Sequence, residues 1–166
     1  MTTDLHMRMA RQGDSRAIGV LGRRVIRRWI LPHQPAEAAA LLLAEMTAKS
    51  IRTKIRAGQR FHLAFVGATL VGMAAIRDDS HVFQFFVGTR YQGRGIARKL
   101  WHRVMRDSIR RAGTRFFTLN AAVAAVPIYL RMGFEPNASA NRPKSKIISV
   151  PMIYRVQSVR HLRKAT

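Results

Sequence analysis

Apolar residues change rhythm several times along this chain, and each change marks an element. His6-Met7-Arg8-Met9-Ala10-Arg11 alternates, as a half-buried strand does. Gly13-Asp14 interrupts it, and Asp14 is placed to cap a helix. Ile18, Leu21, Val25 and Trp29 then recur at helical spacing until Pro32 and Pro35 end the element. Pro35 also suits the first turn of a second helix, with Leu43, Thr47, Ile51 and Ile55 as its inner stripe and Gly58 as its stop. Phe61 to Val66 and Leu70 to Ile76 read as a hairpin about Gly67-Ala68. After the turn Asp78-Asp79-Ser80, His81 to Val87 is the next strand. A helix from Gly95 carries Ile96, Leu100, Trp101, Val104, Met105 and Ile109 inward and stops at Gly113. A short strand, Phe116 to Leu119, leads to Asn120. Ala122 to Met132 is a helix stopped by Gly133, and Phe134 and then Ile147 to Val156 complete the strands, around a polar loop from Asn137 to Lys146.

The predicted order is β-α-α-β-β-β-α-β-α-β-β, a mixed α/β sheet carrying helices. The unit from His81 to Asn120 is a parallel crossover, and ligands of such units sit beyond the C-terminal strand ends. Residues 1–156 read as one domain and 157–166 as a loose basic tail.

Composition narrows the classes. The chain has 166 residues, 48% of them hydrophobic, which suits a globular domain. No apolar run is long enough to span a membrane. Met1 to His6 lacks the basic-then-apolar pattern of a secretory signal, so a cytoplasmic location is expected. There is no cysteine, which removes disulfides, thiolate nucleophiles and cysteine zinc sites. His6, His33, His62, His81, His102 and His161 show no metal-ligand spacing, so no metal is expected. The formal net charge is +22. It fits an anionic partner, such as a phosphorylated cofactor or nucleic acid, and equally an arginine-rich solvated surface.

The chemistry concentrates in Phe85-Phe86-Val87-Gly88-Thr89-Arg90-Tyr91-Gln92-Gly93-Arg94-Gly95-Ile96-Ala97. A strand runs through a glycine turn straight into a helix. Backbone N–H groups at such a turn approach a phosphate closely, and the helix dipole and arginines favour the anion. The turn lacks the Gly-Lys-Ser/Thr of a Walker A loop, and arginine stands where a dinucleotide fingerprint needs its third glycine. Gln92-x-x-Gly95-x-Ala97 fits the acyl-CoA turn pattern Gln/Arg-x-x-Gly-x-Gly/Ala. Thirty or so residues on, Asn120 precedes Ala125-Val126-Pro127-Ile128-Tyr129-Leu130-Arg131-Met132-Gly133-Phe134. On these two motifs the chain resembles the GNAT superfamily of acetyl-CoA-dependent N-acetyltransferases, over about Met7 to Met152.

The resemblance implies the GNAT acyl-CoA N-acyltransferase fold and transfer of an acetyl group from acetyl-CoA to a primary amine in a ternary complex, without a metal. It implies that the amides of Gln92, Gly93, Arg94, Gly95, Ile96 and Ala97 hold the CoA pyrophosphate. Phe86 and Val87 would pair their backbone with the pantetheine arm, and an amide near Val87 would polarise the thioester carbonyl. Asn120 would contact the pantetheine end, and Tyr129 would protonate the departing thiolate. A tyrosine there also fits a packed core ring.

The base is less marked. The family often has a glutamate on the strand before the glycine turn, but His81-Val82-Phe83-Gln84-Phe85-Phe86-Val87 holds no acid. His81 is the first choice, directly or through water, and an ordinary strand-end residue is its other reading. Gln84 can orient a substrate but cannot take a proton. The substrate side is expected from the two N-terminal helices, the Asp78-Asp79 turn and the segment after Pro136. With only 8 Asp and Glu in the chain, a small-molecule or peptide amine, neutral or anionic, suits the site better than a polyamine or aminoglycoside. A family member acting on charged tRNA or the ribosome, and a non-catalytic nucleic-acid-binding relative, rank behind. Similar proteins are often dimers, which allows a homodimer.

Overall fold

The computed structural model describes residues 4–141 and 144–157. The expected basic tail lies outside them except for Gln157, as does His161. Strand β1 (Leu5–Met9) is followed by helix α1 (Ser15–Val25), whose stripe of Ile18, Leu21 and Val25 is buried. Asp14 does not cap α1. Its carboxylate accepts from the Arg11 backbone N–H at 2.7 Å and from the Arg8 guanidinium at 2.8 and 2.9 Å, so it closes the turn before the helix. Past Val25 the helix widens into a π turn, Ile26–Ile30. The i→i+5 turn rotates later side chains around the axis. Trp29 therefore leaves the inner stripe: it is 36% exposed, and its indole N–H donates to Thr89 Oγ1 at 3.1 Å.

The predicted second helix is two, α2 (Ala36–Ala44) and α3 (Ala48–Arg56). Thr47 breaks it, because its hydroxyl accepts from the Ser50 N–H at 3.1 Å and caps α3. The break turns Met46 into the core, where it fills the notch left by Gly22 of α1. A Cβ on Gly22 would lie 2.1 Å from Met46 Cε. Arg23 Nη1 donates to the Met46 carbonyl at 2.6 Å and satisfies a helix end.

Strands β2 (Arg60–Val66), β3 (Thr69–Arg77) and β4 (His81–Val87) form an antiparallel meander. The β3–β4 turn carries Asp78 and Asp79 at φ 54° and 50°, the left-handed pair that a tight hairpin requires. Then come α4 (Ile96–Ala112), β5 (Phe116–Ala121), α5 (Val126–Arg131), β6 (Glu135–Pro136) and β7 (Val150–Arg155). The result is a mixed α/β structure with one seven-stranded sheet, ordered β1-β2-β3-β4-β5-β7-β6. Among the described residues only β4 and β5 pair in parallel, as the crossover predicts.

Helices α1 and α3 cover one face over Phe61, Leu63, Met73 and Phe86. Helix α4 covers the other, where Trp101 meets Phe117, Phe134 and Tyr154 at ring separations of 4.9 to 5.2 Å. Such aromatic contacts contribute about 1 kcal/mol each beyond burial. Ile109, expected inward on α4, is 37% exposed. Among the described residues no helix is long and apolar enough to cross a membrane.

Candidate active site

Beside β3, strand β4 stays paired to its end, with Gly72 opposite Val87. Beside β5 it pairs only through His81 with Thr118 and Val82 with Leu119. Strand β5 continues instead along β7, with Asn120 opposite Pro151 and Ala121 opposite Val150. The two parallel strands therefore splay beyond Val82, and one side of β4 is left without a partner strand.

A bulge decides what that side presents. Ile76 faces Val82, yet Ala75 faces Gln84, so Phe83 is an extra residue. Before the bulge Val82 and the Ser80 carbonyl belong to the ladder toward β5, where the Thr118 N–H reaches Ser80 O at 2.9 Å. After it the parity is reversed. The Gly88 N–H donates to Val71 O at 2.8 Å, toward β3. Alternation then turns the Phe86 backbone toward β3 as well and leaves those of Phe85 and Val87 facing the split. Phe86, expected to offer its backbone there, is instead a core residue packed with α1. Phe85 is the residue that sequence reading missed; only the bulge reveals it.

Past Val87 the chain makes a short turn, Thr89–Tyr91, and reaches Gly93 and Gly95 at φ 75° and 79°. Side chains rarely adopt this conformation, and a Cβ at either glycine would meet nothing within 4 Å. The turn is thus open on its outer side. It leads into α4, whose first amides have no partner within the helix. The Gln92 side chain is spoken for: its Nε2 donates to Val87 O at 3.1 Å, tying the turn to the strand end. Arg94 lies 5.3 Å from the centre of the Tyr91 ring, and Arg98 reaches the Arg131 carbonyl at 3.3 Å. The Ile96 side chain is buried and that of Ala97 half-buried, so their backbone is what remains for a ligand.

Tyr129, on α5, meets Phe85 edge-on at 6.2 Å and Phe134 at 5.6 Å. These contacts place it on the α4 side of the split. Burial pushes its phenol well above the usual range, so it is protonated at neutral pH. Asn120 is exposed at the end of β5, on the opposite face from Leu119 and Ala121.

His81 stands at the closed end. Its Nδ1 is 2.8 Å from Thr118 Oγ1. Burial, and then the Arg77 charge, lower its pKa, so the imidazole is neutral at pH 7. At about 3.3 Å per residue it lies roughly 13 Å along the strand from Phe85 and roughly 20 Å from Val87, so the structure does not bring them together. The Asp78-Asp79 turn is also remote from the split, with Asp79 held by Arg111 at 3.3 Å and by the Thr114 hydroxyl at 2.7 Å. The helical region and the segment after Pro136 do meet: Gln34 and the backbone of Ile148 exchange hydrogen bonds of 2.7 and 2.8 Å. Among the described residues no cluster of three His, Asp or Glu gathers to hold a metal.

Residues 30–156 match the family model for the acetyltransferase (GNAT) domain. Solved structures agree in fold. A GCN5-related N-acetyltransferase from Rhodopseudomonas palustris is 16% identical, with a TM-score of 0.79, over 94% of this chain and 99% of the other. The PaiA N-acetyltransferase of Thermoplasma acidophilum, solved with coenzyme A, is 12% identical, with a TM-score of 0.76, over 92% and 99%. YncA of Salmonella typhimurium, a putative acetyltransferase solved with acetyl-CoA, is 17% identical, with a TM-score of 0.63, over 93% and 95%. Among curated proteins no sequence matches.

Proposed function

This chain belongs to the GNAT acetyltransferase family, and from that premise we propose that it transfers an acetyl group from acetyl-CoA to a primary amine. The observation that carries the reading is the splay of β4 from β5 next to an open left-handed glycine turn. The turn's amides, from Gln92 to Ala97, hold the pyrophosphate, with Arg94 beside them. The pantetheine arm lies along β4 as an added strand, taking the Val87 N–H and the backbone groups of Phe85.

The Phe85 amide holds the thioester oxygen, next to Tyr129. Negative charge grows on that oxygen as the amine nitrogen attacks the carbonyl carbon, so a fixed donor lowers the barrier. A substrate ammonium first loses one proton, since alkyl amines titrate near ~10.4. The neutral amine forms the C–N bond, the C–S bond breaks, and the nitrogen releases a second proton. Tyr129 gives its proton to the departing thiolate, and the proton released by the nitrogen restores the phenol through water. His81 is too far along β4 to touch the amine and takes a proton only through water. Asn120 steadies the end of the pantetheine arm.

The acceptor enters from the side of α1–α3, where Arg27, Arg28 and Arg90 are exposed. These charges favour an amino acid, a peptide terminus or another amine carrying an anionic group, and disfavour polyamines. A spermidine N-acetyltransferase chimera shares the fold at 18% identity, which makes spermidine a direct comparison. The test is CoA release over glycine, glycinamide, glycylglycine, methylamine and spermidine, beside calorimetry with acetyl-CoA. Binding of acetyl-CoA and turnover of a neutral or anionic amine are expected. Absence of a calorimetric signal at saturating acetyl-CoA overturns the proposal.

A further inference from the structure

Just past the point where the split begins, one side-chain oxygen is buried without a partner. Gln84 is 8% exposed, and its Oε1 is sealed from solvent with no hydrogen bond. A buried carboxamide in that state is costly, so its position needs a cause. Burial alone does not supply one, because leucine would fill the same space without the penalty.

Its location supplies the cause. Gln84 is the residue directly after the bulge, two places beyond the last β4 residue paired to β5. Bulges re-aim side chains and recur beside active sites. Gln84 lies opposite Ala75, on the face covered by α1 and α3, whereas Phe85 and Tyr129 lie on the other. The carboxamide thus flanks the reacting thioester from the acceptor side. No carboxylate on β4 competes for that position.

Resting on the acetyl-transfer reading above, we propose that the Gln84 carboxamide binds the acceptor amine and holds its nitrogen in line with the thioester carbon. The oxygen accepts one N–H of the amine, leaving the lone pair free to attack. A carboxamide cannot remove the proton, so the residue orients the nucleophile while deprotonation goes to water. The consequence is a specificity rule: the acceptor must still carry an N–H beyond the one lost in transfer, so a primary amine is used and its N-methyl derivative is poor.

The test uses the full chain and the amine with the highest kcat/KM among the five above, in wild type, Gln84→Leu and Gln84→Glu. For Gln84→Leu we expect the amine KM to rise at least tenfold, an acetyl-CoA Kd within twofold of wild type, and a Tm no lower, since the amide has no internal bond to lose. For Gln84→Glu the acid limb of the kcat/KM profile moves to lower pH, because a carboxylate can now take the proton. An unchanged amine KM in Gln84→Leu, or equal rates for the amine and its N-methyl derivative, overturns the inference and marks the carboxamide as a packing defect. So does a loss confined to acetyl-CoA affinity, which would assign it to the donor. If Gln84→Leu does not fold, the pH profile of Gln84→Glu decides, and an unmoved profile overturns it. Wild type that binds acetyl-CoA but acetylates no amine overturns this inference together with the amine-transfer reading; failure to bind acetyl-CoA sinks that reading first.

Discussion

The two ends of β4 are built on opposite plans. At the closed end His81 is matched to Thr118, Asp79 is held by Arg111 and Thr114, and β5 completes the ladder. At the open end β5 has left, the Phe85 and Val87 amides face a gap, and Gln84 is buried unpaired. The closed end carries charges of both signs, and Asp79 there is paired with Arg111. The open end is positive, with Arg90 and Arg94 exposed beside the glycine turn, and it holds unmet hydrogen-bonding capacity in Gln84. A buried polar atom left unpaired beside such a gap calls for an explanation, and a ligand is one.

The contrast can be broken most severely at the cradle. Gly95→Glu puts a side chain on a left-handed residue and a negative charge where a pyrophosphate would lie. Like-charge contacts cost several kcal/mol, so the acetyl-CoA Kd should rise by at least about a hundredfold in calorimetry. A shift under threefold would move the phosphate site elsewhere.

Next in size is Tyr129→Phe. Its ring contacts with Phe85 and Phe134 survive, so Tm and acetyl-CoA affinity should hold while kcat falls about a hundredfold, the lower range for a lost general acid. An unchanged kcat would reduce Tyr129 to a core ring.

The two buried imidazoles, His62 on β2 and His81 on β4, should also show in acid. Burial lowers His62 to about 4 and lowers His81 too. The unfolded chain protonates both near ~6.5, while the folded chain does not, so folding stability is complete above that pH and declines as pH falls toward 4. The His62 share is up to about 3 kcal/mol. Denaturant titrations at pH 7.5 and 4.5 should show the loss, and His62→Gln should remove most of it. Equal stability at both pH values would contradict the burial of these imidazoles.

The mildest probe is Thr118→Val, which deletes the His81 partner. It should cost about 1 kcal/mol in urea unfolding and leave acetyl-CoA affinity unchanged. A large loss of affinity would mean that the two ends of β4 are not independent.

Legibility in the sequence followed the range of the forces involved. The strand beginning at His81, the stop at Gly113 and the Asp78-Asp79 turn are local matters of φ and apolar spacing, and each lies where the pattern places it. Met46 is different. Thr47 beside it is a local cap signal, but nothing along the chain marks Met46 as a core residue, because the notch it fills is made by Gly22 on another helix. Trp29 left its stripe through a π turn that spacing rules cannot anticipate. Within the site, the glycine turn and Tyr129 stood out as motifs and Gln84 as a residue able to orient a substrate, while Phe85 did not stand out.

Taken alone, the amino-acid order determined which elements exist, that β4 and β5 run parallel, and that a glycine turn opens α4, since backbone preference and hydrophobic period act over a few residues. Tertiary structure decided which β4 amides meet the gap and which carboxamide stays unpaired. The physical reason is the one extra residue at Phe83: it reverses the facing of everything after it, and it exists only because β3 holds β4 in a register that no local pattern encodes.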